Sequence, residues 1–388
     1  MRAPALLLLL PACTSAVKNE FQATYTEIMR PPPPLSRAWE PDVSVRMAPR
    51  LVESALTAAL DGAKLSTIID LPGIKLEPSL SVDALRLVDP TLPCDGCLGV
   101  VATLAGNLDY RGFGYAGRTR ARVHLGIDTS LQARQEPDGW VVVAAPPTIT
   151  SIETDLPSMN RTLSDWVLSP LARWVSSTIT QDLAPITLAR LGRLDLPIQA
   201  LRVSVVDAIV ELEARTTSPD PRPVEPAPDP GDGWAARMAS ASVVSTARLA
   251  SFQQGSLGLG VWAEPRDIDV DDDRLVVDLR VWRVAGMGWW RDYHIDTQMS
   301  LEGGRLTLEP REVTEAAHSQ GAGLADPIAA LLRGRILEVM ASAVNTSVPS
   351  SRTQDIGGTR STWSIDTLER EIDDLVITGS AQFESIVP

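Results

Sequence analysis

Few residues in this 388-residue sequence have the types and spacing that catalysis or metal binding requires. Its three histidines, His124, His294 and His318, are scattered, and no His-Glu-x-x-His pair or second metal-spaced cluster accompanies them. The sequence contains neither a Gly-x-Ser-x-Gly nucleophile motif nor a Gly-x-x-x-x-Gly-Lys phosphate loop. We therefore predict that the protein is not an enzyme and that it has no catalytic residues, metal site or cofactor.

The acidic run DIDVDDDR, residues 267–274, begins like a calcium-binding loop, because Asp267, Asp269 and Asp271 alternate along it. An EF-hand loop needs glycine at its sixth position, where this sequence has Asp272. The run is therefore predicted to be a solvated hairpin turn.

Cys94 and Cys97 are spaced for a small disulfide ring or for a redox-active Cys-x-x-Cys pair. The intervening Asp-Gly favours a tight turn. A redox pair usually lies at a helix N-terminus, which makes the thiol more acidic, whereas here the strand-like run 98–110 follows. A structural disulfide is predicted, and the redox pair remains the alternative.

The third cysteine, Cys13, follows an apolar run at the N-terminus. Arg2 supplies a positive charge, residues 3–10 are mostly apolar, and Ala12 is a small residue directly before the cysteine. The run is shorter than the roughly 20 apolar residues that span a bilayer. The pattern resembles the lipobox of bacterial lipoproteins, which implies cleavage after Ala12 and attachment of a lipid to the Cys13 thiol. An uncleaved or ordinarily secreted signal peptide is the alternative.

Two proline-rich stretches divide the rest of the chain. Residues 13–42 contain four consecutive prolines and few spaced apolar positions, so they are predicted to be an extended, lipidated tether behind a signal peptide at 1–12. Residues 216–233 combine prolines with acidic residues and are predicted to be a linker with nothing to bury. The blocks at 43–215 and 234–388 are each long enough to be a domain.

The overall composition limits the possible partners. Hydrophobic residues make up 44% of the chain, which is enough for two cores, and the net charge is −14. This acidic excess disfavours a nucleic-acid partner and non-specific binding to anionic membrane surfaces. No feature of the sequence identifies a protein partner.

Each block contains a helical pattern with the same apolar spacing. One starts at Ser169-Pro170 and is predicted to run to about Leu191, and the other starts at Asp326-Pro327; both pairs suit a helix start. Apolar residues follow at offsets 0, 3, 4, 8 and 12, which places them on one helix face. They are Leu171, Trp174, Val175, Ile179 and Leu183 in the first block, and Ile328, Leu331, Leu332, Ile336 and Met340 in the second.

The elements around these helices also recur. Residues of alternating polarity, typical of strands with one buried face, form a hairpin before each helix, and an extended segment follows it. A leading helix precedes each hairpin. The hairpins cover 98–108 with 119–127 and 275–281 with 293–301; the closing segments are 201–213 and 372–383; the leading helices are 47–60 and 233–254. The order indicates a diverged internal duplication.

This element order, given twice, resembles the TULIP (tubular lipid-binding) superfamily, which includes the bactericidal/permeability-increasing protein. The resemblance covers about residues 43–383. It implies an α+β fold of two tandem elongated modules, each a long twisted antiparallel sheet wrapped around a long helix. It also implies that a lipid or other long apolar ligand lies between helix and sheet, lined by Leu171, Trp174, Val175 and Ile179, and by Ile328, Leu331, Leu332 and Ile336.

The sequence thus predicts a lipid-anchored protein of the bacterial cell envelope that faces the periplasm and binds or transfers a lipid. The alternative is a structural or scaffolding lipoprotein with solid cores and protein partners only. Both need the same apolar helix face, because such a face against a sheet is also an ordinary α+β core.

Overall fold

The computed structural model describes residues 5–319 and 351–386 of the chain, apart from short gaps. The gaps are 32, 33, 35–37, 62, 63, 92, 93, 95, 113, 138, 157–160, 183–185, 193–197, 219, 220, 272, 287, 303, 304, 357 and 358. The second predicted helix, with Ile328, Leu331, Leu332 and Ile336, lies outside the described residues.

The described chain is rich in strands. Its first half contains, in order, α1 (Ala5–Ile28), β1 (Val43–Met47), α2 (Pro49–Leu60), β2 (Lys64–Ser66), β3 (Ile69–Leu71), β4 (Ile74–Val88), β5 (Cys97–Gly112), β6 (Tyr115–Glu136), β7 (Gly139–Ala144), β8 (Thr148–Asp155), α3 (Arg161–Asp182), β9 (Ile186–Gly192), β10 (Ile198–Val206) and β11 (Ile209–Thr216). Its second half contains β12 (Trp234–Ala239), α4 (Ser240–Gln254), β13 (Val261–Asp271), β14 (Arg274–Arg283), β15 (Trp289–Glu302), β16 (Arg305–His318), β17 (Ser351–Ile356), β18 (Thr359–Glu371) and β19 (Asp374–Ser385). Among the helices of the described residues, none has the length and apolar content needed to cross a membrane.

The strands form three sheets. Strands β2 to β9 make an eight-stranded sheet, and β13 to β16 make a four-stranded sheet. A seven-stranded sheet, in the order β10-β11-β1-β12-β19-β18-β17, combines strands from both halves of the chain. At its centre Val45 lies opposite Leu212 of β11 on one side and Ala236 of β12 on the other. The two halves are therefore joined by backbone hydrogen bonds, an arrangement that the sequence did not predict.

Alternation of apolar and polar residues explains the long strands. In β6, Ala121 and Val123 are buried, whereas Arg120 and Arg122, which alternate with them, are exposed, so one face of the strand points into the core. Val123 pairs with Leu104 of β5, and Val277 of β14 pairs with Ile295 of β15. Both predicted hairpins are thus confirmed as antiparallel pairs.

A buried carboxylate, Asp42, connects the two halves near the shared sheet. One of its oxygens accepts a hydrogen bond from the Thr216 N–H at 2.7 Å. The other accepts the Thr216 hydroxyl and, at 2.6 Å, the Ser242 hydroxyl at the start of α4. Asp42 is fully buried, so these donors replace the water that the carboxylate loses on folding.

The segment between β11 and β12 has no regular structure where it is described, but it is not an unpacked linker. The Ala227 side chain is 1% exposed. Its N–H donates to the Ser44 hydroxyl at 3.0 Å, and its carbonyl accepts from the Arg46 guanidinium at 3.1 Å. The expectation that this segment has nothing to bury is therefore wrong at Ala227, because satisfied backbone groups allow its methyl to pack.

Residues 16–28, predicted to be part of an extended tether, are helical and belong to α1. The Phe21 ring lies 5.9 Å from Phe252 of α4 and 5.7 Å from Trp282 of β14, measured between centroids. The prediction failed because it overlooked one apolar face, spaced at four, four and three residues. That face consists of Val17, Phe21, Tyr25 and Ile28.

Helix α3 also differs from its prediction. It begins at Arg161 and ends at Asp182, so Pro170 lies inside it and Ser169 does not cap it. Val167 is fully buried in the same cluster as Leu171, so the apolar face continues past the proline. Burial of this face offsets the one helical hydrogen bond that proline removes. The chain predicted to continue the helix instead forms β9, which pairs with β7.

The predicted closing segment 201–213 is two strands rather than one. Asp207 and Ala208 have φ values of 52° and 60° and form the two-residue turn between β10 and β11. Left-handed conformations at both positions suit a hairpin turn whose twist matches its strands. The alternation of apolar and polar residues continues through the turn, so the sequence pattern does not show where the first strand ends. The segment 372–383, in contrast, is mostly one strand, β19.

Candidate ligand-binding site

The predicted ligand-binding residues of the first block lie together on one face of α3. Leu171, Val175 and Ile179 are at most 2% exposed, and Trp174 is partly buried beside them. They pack against apolar residues of β4, β5 and β6, among them Leu76 and Leu108. The side chains that contact this face come from the protein itself.

Replacing Val175 with tryptophan is expected to lower the free energy of unfolding by about 1–3 kcal/mol, because extra bulk strains a core already packed at protein density. Chemical denaturation of the purified protein measures the change. The control is Ser177→Trp, which places the same side chain on the exposed face of α3 and should change stability by about 0.5 kcal/mol or less. Unchanged stability of Val175→Trp, with loss of co-purified lipid, would instead indicate ligand space along α3.

A cavity of about 70 Å³ lies elsewhere, between α2 and the eight-stranded sheet, and is partly open to the surface. Helix α2 contributes two leucines from one side, and strands β4 to β7 with the residues directly after β7 contribute the rest of the lining from the other. The lining residues are Leu56, Leu60, Leu85, Val100, Ala102, Ile127, Thr129, Ala144, Ala145 and Pro147.

Helix α2 forms one wall of this cavity, and its amphipathic sequence positions it there. Pro49 occupies the first turn, where its missing N–H costs nothing, and Leu51, Val52 and Leu56 are buried on one face. The Glu53 carboxylate accepts the backbone N–H of Leu87 at 2.7 Å, which ties the helix to β4. The sequence correctly predicted this leading helix but assigned it no ligand.

The cavity offers water almost nothing to bind. Among the ten lining residues that the structure describes, Thr129 alone has a polar side chain, and its hydroxyl already donates to the Ala145 carbonyl at 2.7 Å. A buried water typically needs two to four polar partners, so a cavity of this kind stays dry. None of these described residues has an ionisable side chain, so the chemistry of the cavity is that of an apolar receptor.

The size of the cavity sets what it can hold. In another protein, an engineered apolar cavity of about 150 Å³ binds benzene. The present cavity, at about 70 Å³, is smaller and accepts the end of an acyl chain or a group of similar width.

Of the predicted ligand-binding residues that the structure describes, none lines this cavity. Ala102 and Ile127 connect it to the cluster around α3, since both also pack there. The available signal was a set of small residues, Ala102, Ala144 and Ala145, facing the leucines of α2. Small side chains opposite large ones leave space, but the same pattern also allows close packing, so it does not identify a cavity by itself.

The histidines and the acidic run do not form a single cluster in the described structure. His124 contacts Thr103 and His294 contacts Asp278, each on an exposed strand surface. In the described part of the chain, no group of three His, Cys, Asp or Glu residues is arranged to hold a metal ion. The acidic run 267–274 was predicted to be a turn, but residues 267–271 are the end of β13 and Arg274 begins β14, with Asp271 paired opposite Arg274.

Cys94 and Cys97 form a disulfide, with a Cα–Cα distance of 5.2 Å. Between them Gly96 has a φ of 72°, and a Cβ there would lie 3.0 Å from the Leu131 carbonyl and 3.3 Å from the Val203 carbonyl. The small loop closed by this disulfide therefore packs closely against β6 and β10. Cys97 begins strand β5, not a helix, so the pair lies outside the setting that usually activates a redox thiol.

Comparisons with known proteins give no family assignment. No protein-family model and no curated protein matches the sequence. Solved structures similar in fold include lipopolysaccharide binding protein, at 12% identity and a TM-score of 0.35, covering 89% of this chain and 99% of that one. P47 from Clostridium botulinum A2 has 8% identity and a TM-score of 0.38, covering 88% and 97%. At such low identities and TM-scores, the likeness establishes no shared function.

Proposed function

We propose that this protein binds a lipid or another long apolar ligand, with one end of the ligand in the cavity between α2 and the eight-stranded sheet. The observation that carries the proposal is the polarity of that cavity. It is partly open, and the hydroxyl of Thr129 is satisfied within the protein. An acyl chain entering it gains apolar contact, worth about 0.8 kcal/mol per buried methylene, and displaces no bound water.

The proposal includes attachment to the bacterial cell envelope, on the side that faces the periplasm. Its support is the sequence before Cys13, which resembles a lipobox, and the Cys94–Cys97 disulfide, which suits an oxidising compartment. A lipid on Cys13 would keep the protein beside the membrane from which an apolar ligand is taken or to which it is delivered.

A structural or scaffolding role remains the second candidate, and the packing around α3 favours it. Leu171 and Val175 are completely buried among protein side chains, as in a solid core. Under this alternative the cavity beside α2 is a packing defect that no ligand enters.

The test compares two alanine-to-leucine substitutions on the same sheet. Ala144→Leu adds an isopropyl group at the cavity wall and is expected to abolish co-purified lipid with little loss of stability, because the new side chain fills existing space. Ala121→Leu adds the same group at a buried position that does not line the cavity. It should retain lipid but lose about 1–3 kcal/mol of unfolding free energy by overpacking.

Lipid is measured by organic extraction and mass spectrometry of the purified protein, and stability by chemical denaturation of the same samples. Absence of any apolar ligand from the wild-type protein, or retention of ligand by Ala144→Leu, contradicts binding in this cavity. The first of these outcomes, combined with strong destabilisation of Ala144→Leu, supports the scaffold.

A further inference from the structure

Two loops without charge meet at one end of the four-stranded sheet. The first, GSLGLG at 255–260, connects α4 to β13, and the second, VAGMG at 284–288, connects β14 to β15. The Val284 N–H donates to the Gly260 carbonyl at 2.9 Å. A Cβ built on Gly260 would lie 2.8 Å from the Ala285 Cβ, so the loops are in close contact. We call residues 255–260, 284–286 and 288 the uncharged loop pair.

The uncharged loop pair differs in charge from the rest of this acidic protein. Charged residues make up 22% of the chain and the net charge is −14, yet these loops contain none. They expose apolar side chains instead: Leu257 is 40% exposed and Leu259 is 77% exposed. Such exposure of neighbouring large apolar side chains is typical of a surface that another apolar phase covers.

The backbone holds Leu259 in this position. Its φ of 54° lies in the left-handed region, which a residue as bulky as leucine rarely adopts. Glycines at 258 and 260, with φ values of 109° and 72°, surround it. The same left-handed conformation exposes Ile372 elsewhere in the chain, so the two neighbouring leucines and the absence of charge around them, rather than the backbone alone, point to a contact outside the protein.

The position of α1 indicates what that contact is. A Cβ on Gly288 would lie 3.6 Å from the Val17 side chain, so the loop pair contacts α1 at Val17. Cys13 precedes Val17 by four helical residues, a rise of about 6 Å. Because Cys13 is the predicted site of lipid attachment, an anchor there would enter the bilayer beside the uncharged loop pair.

We propose that the uncharged loop pair rests on the lipid bilayer and fixes the orientation of the protein on it, with Leu257 and Leu259 inserted among the lipids. This goes beyond ligand binding in the α2 cavity but depends on the Cys13 anchor. Absence of charge in the loops avoids repulsion by anionic lipids and makes the contact apolar. Its strength should therefore change little with salt, unlike contacts made by lysine and arginine.

The experiment places an environment-sensitive fluorophore at Leu259 of the full-length lipidated protein in phosphatidylcholine vesicles. Leu259→Cys is labelled with nitrobenzoxadiazole, and no other thiol is free if Cys13 carries lipid and Cys94 is paired with Cys97. The expected result is a blue-shifted emission that spin-labelled lipids quench, at low and high salt alike.

Ile372→Cys is the matched control. Ile372 is also a large apolar residue at a turn, is 89% exposed and has a φ of 58°. It lies between Glu371 and Asp373, and its neighbour Arg370 pairs with Asp269 near the opposite end of β13. Eight residues of strand separate Val261 from Asp269, roughly 26 Å. A label at Ile372 should emit as in water and escape quenching.

Three results overturn the proposal: water-like emission at both positions, equal quenching at both, or protection of Leu259 in native membranes but not in pure lipid vesicles, which would indicate a protein partner. Mass spectrometry of the same preparation reports the lipid on Cys13, and its absence removes the anchor and the proposal together. Organic extraction reports cavity ligand separately, so a failure here is distinguishable from a failure of the proposed function.

Discussion

Replacing Asp42 with alanine is expected to lower the free energy of unfolding by about 3 kcal/mol. The substitution leaves the N–H and hydroxyl of Thr216 and the hydroxyl of Ser242 without their acceptor in a buried site. Each buried donor left unsatisfied costs about 1–3 kcal/mol, reduced where the site relaxes or admits water. Because Asp42 joins the end of β11 to the start of α4, the loss weakens the connection between the two halves.

Urea denaturation measures this loss, with the midpoint and slope compared between variants. Ser242→Ala removes a single donor and should cost about 1 kcal/mol. Asp70→Ala removes a carboxylate from an exposed position and should change stability by about 0.5 kcal/mol or less. If Asp42→Ala is no less stable than Asp70→Ala, the carboxylate does not stabilise the junction.

Local pattern was sufficient to predict the long strands. Alternation along 98–108 and 119–127 reports which face of each strand is buried, and a hairpin pairs neighbours in sequence, so β5 and β6 followed directly. The shared sheet could not be predicted in this way. Val45 pairs with Ala236 nearly two hundred residues away, and the spacing of apolar residues in one strand does not identify a distant partner.

Helix ends were less predictable than helix faces. The face with Leu171 and Val175 was correctly predicted to lie on one side of α3, because it depends on a period that the sequence displays. The start was wrong, since Ser169-Pro170 is a good local start signal that the burial of Val167 overrides. In α1, Val17 and Phe21 lie between an apolar run and four consecutive prolines, and these two flanking patterns favour a targeting segment and an extended tether over a helix.

The cavity could not be predicted from the sequence, because a cavity is the space that two facing surfaces leave unfilled. Leu56 in α2 and Ala144 in β7 are apolar whether the space between them is empty or filled. The relative position of the helix and the sheet determines whether this space is empty, and that position depends on contacts from several distant segments. Sequence could therefore predict an apolar ligand but not the place where one fits.

Cys13→Ser is expected to move the protein completely from the membrane fraction to the soluble fraction and to abolish incorporation of a radiolabelled fatty acid. Serine has no thiol to accept the lipid, so the predicted anchor cannot form. The uncharged loop pair does not replace it. Insertion of Leu257 and Leu259 contributes at most about 1.5–3 kcal/mol per side chain, comparable to the marginal, reversible binding that even a single acyl chain provides.

The matched control is the double variant Cys94→Ser/Cys97→Ser, which makes the same chemical change at the disulfide and should stay in the membrane fraction with its lipid label. That variant should lose about 2 kcal/mol of stability, as expected for a small disulfide ring. Retention of Cys13→Ser in membranes with its lipid label would show that the thiol is not the attachment site. Retention without the label would show that another surface holds the protein, and the orientation proposed for the loop pair would then no longer follow from the anchor. Complete release, in contrast, would establish that the lipid on Cys13 holds the protein on the membrane, and the packing of Val17 and Phe21 connects α1 to the four-stranded sheet.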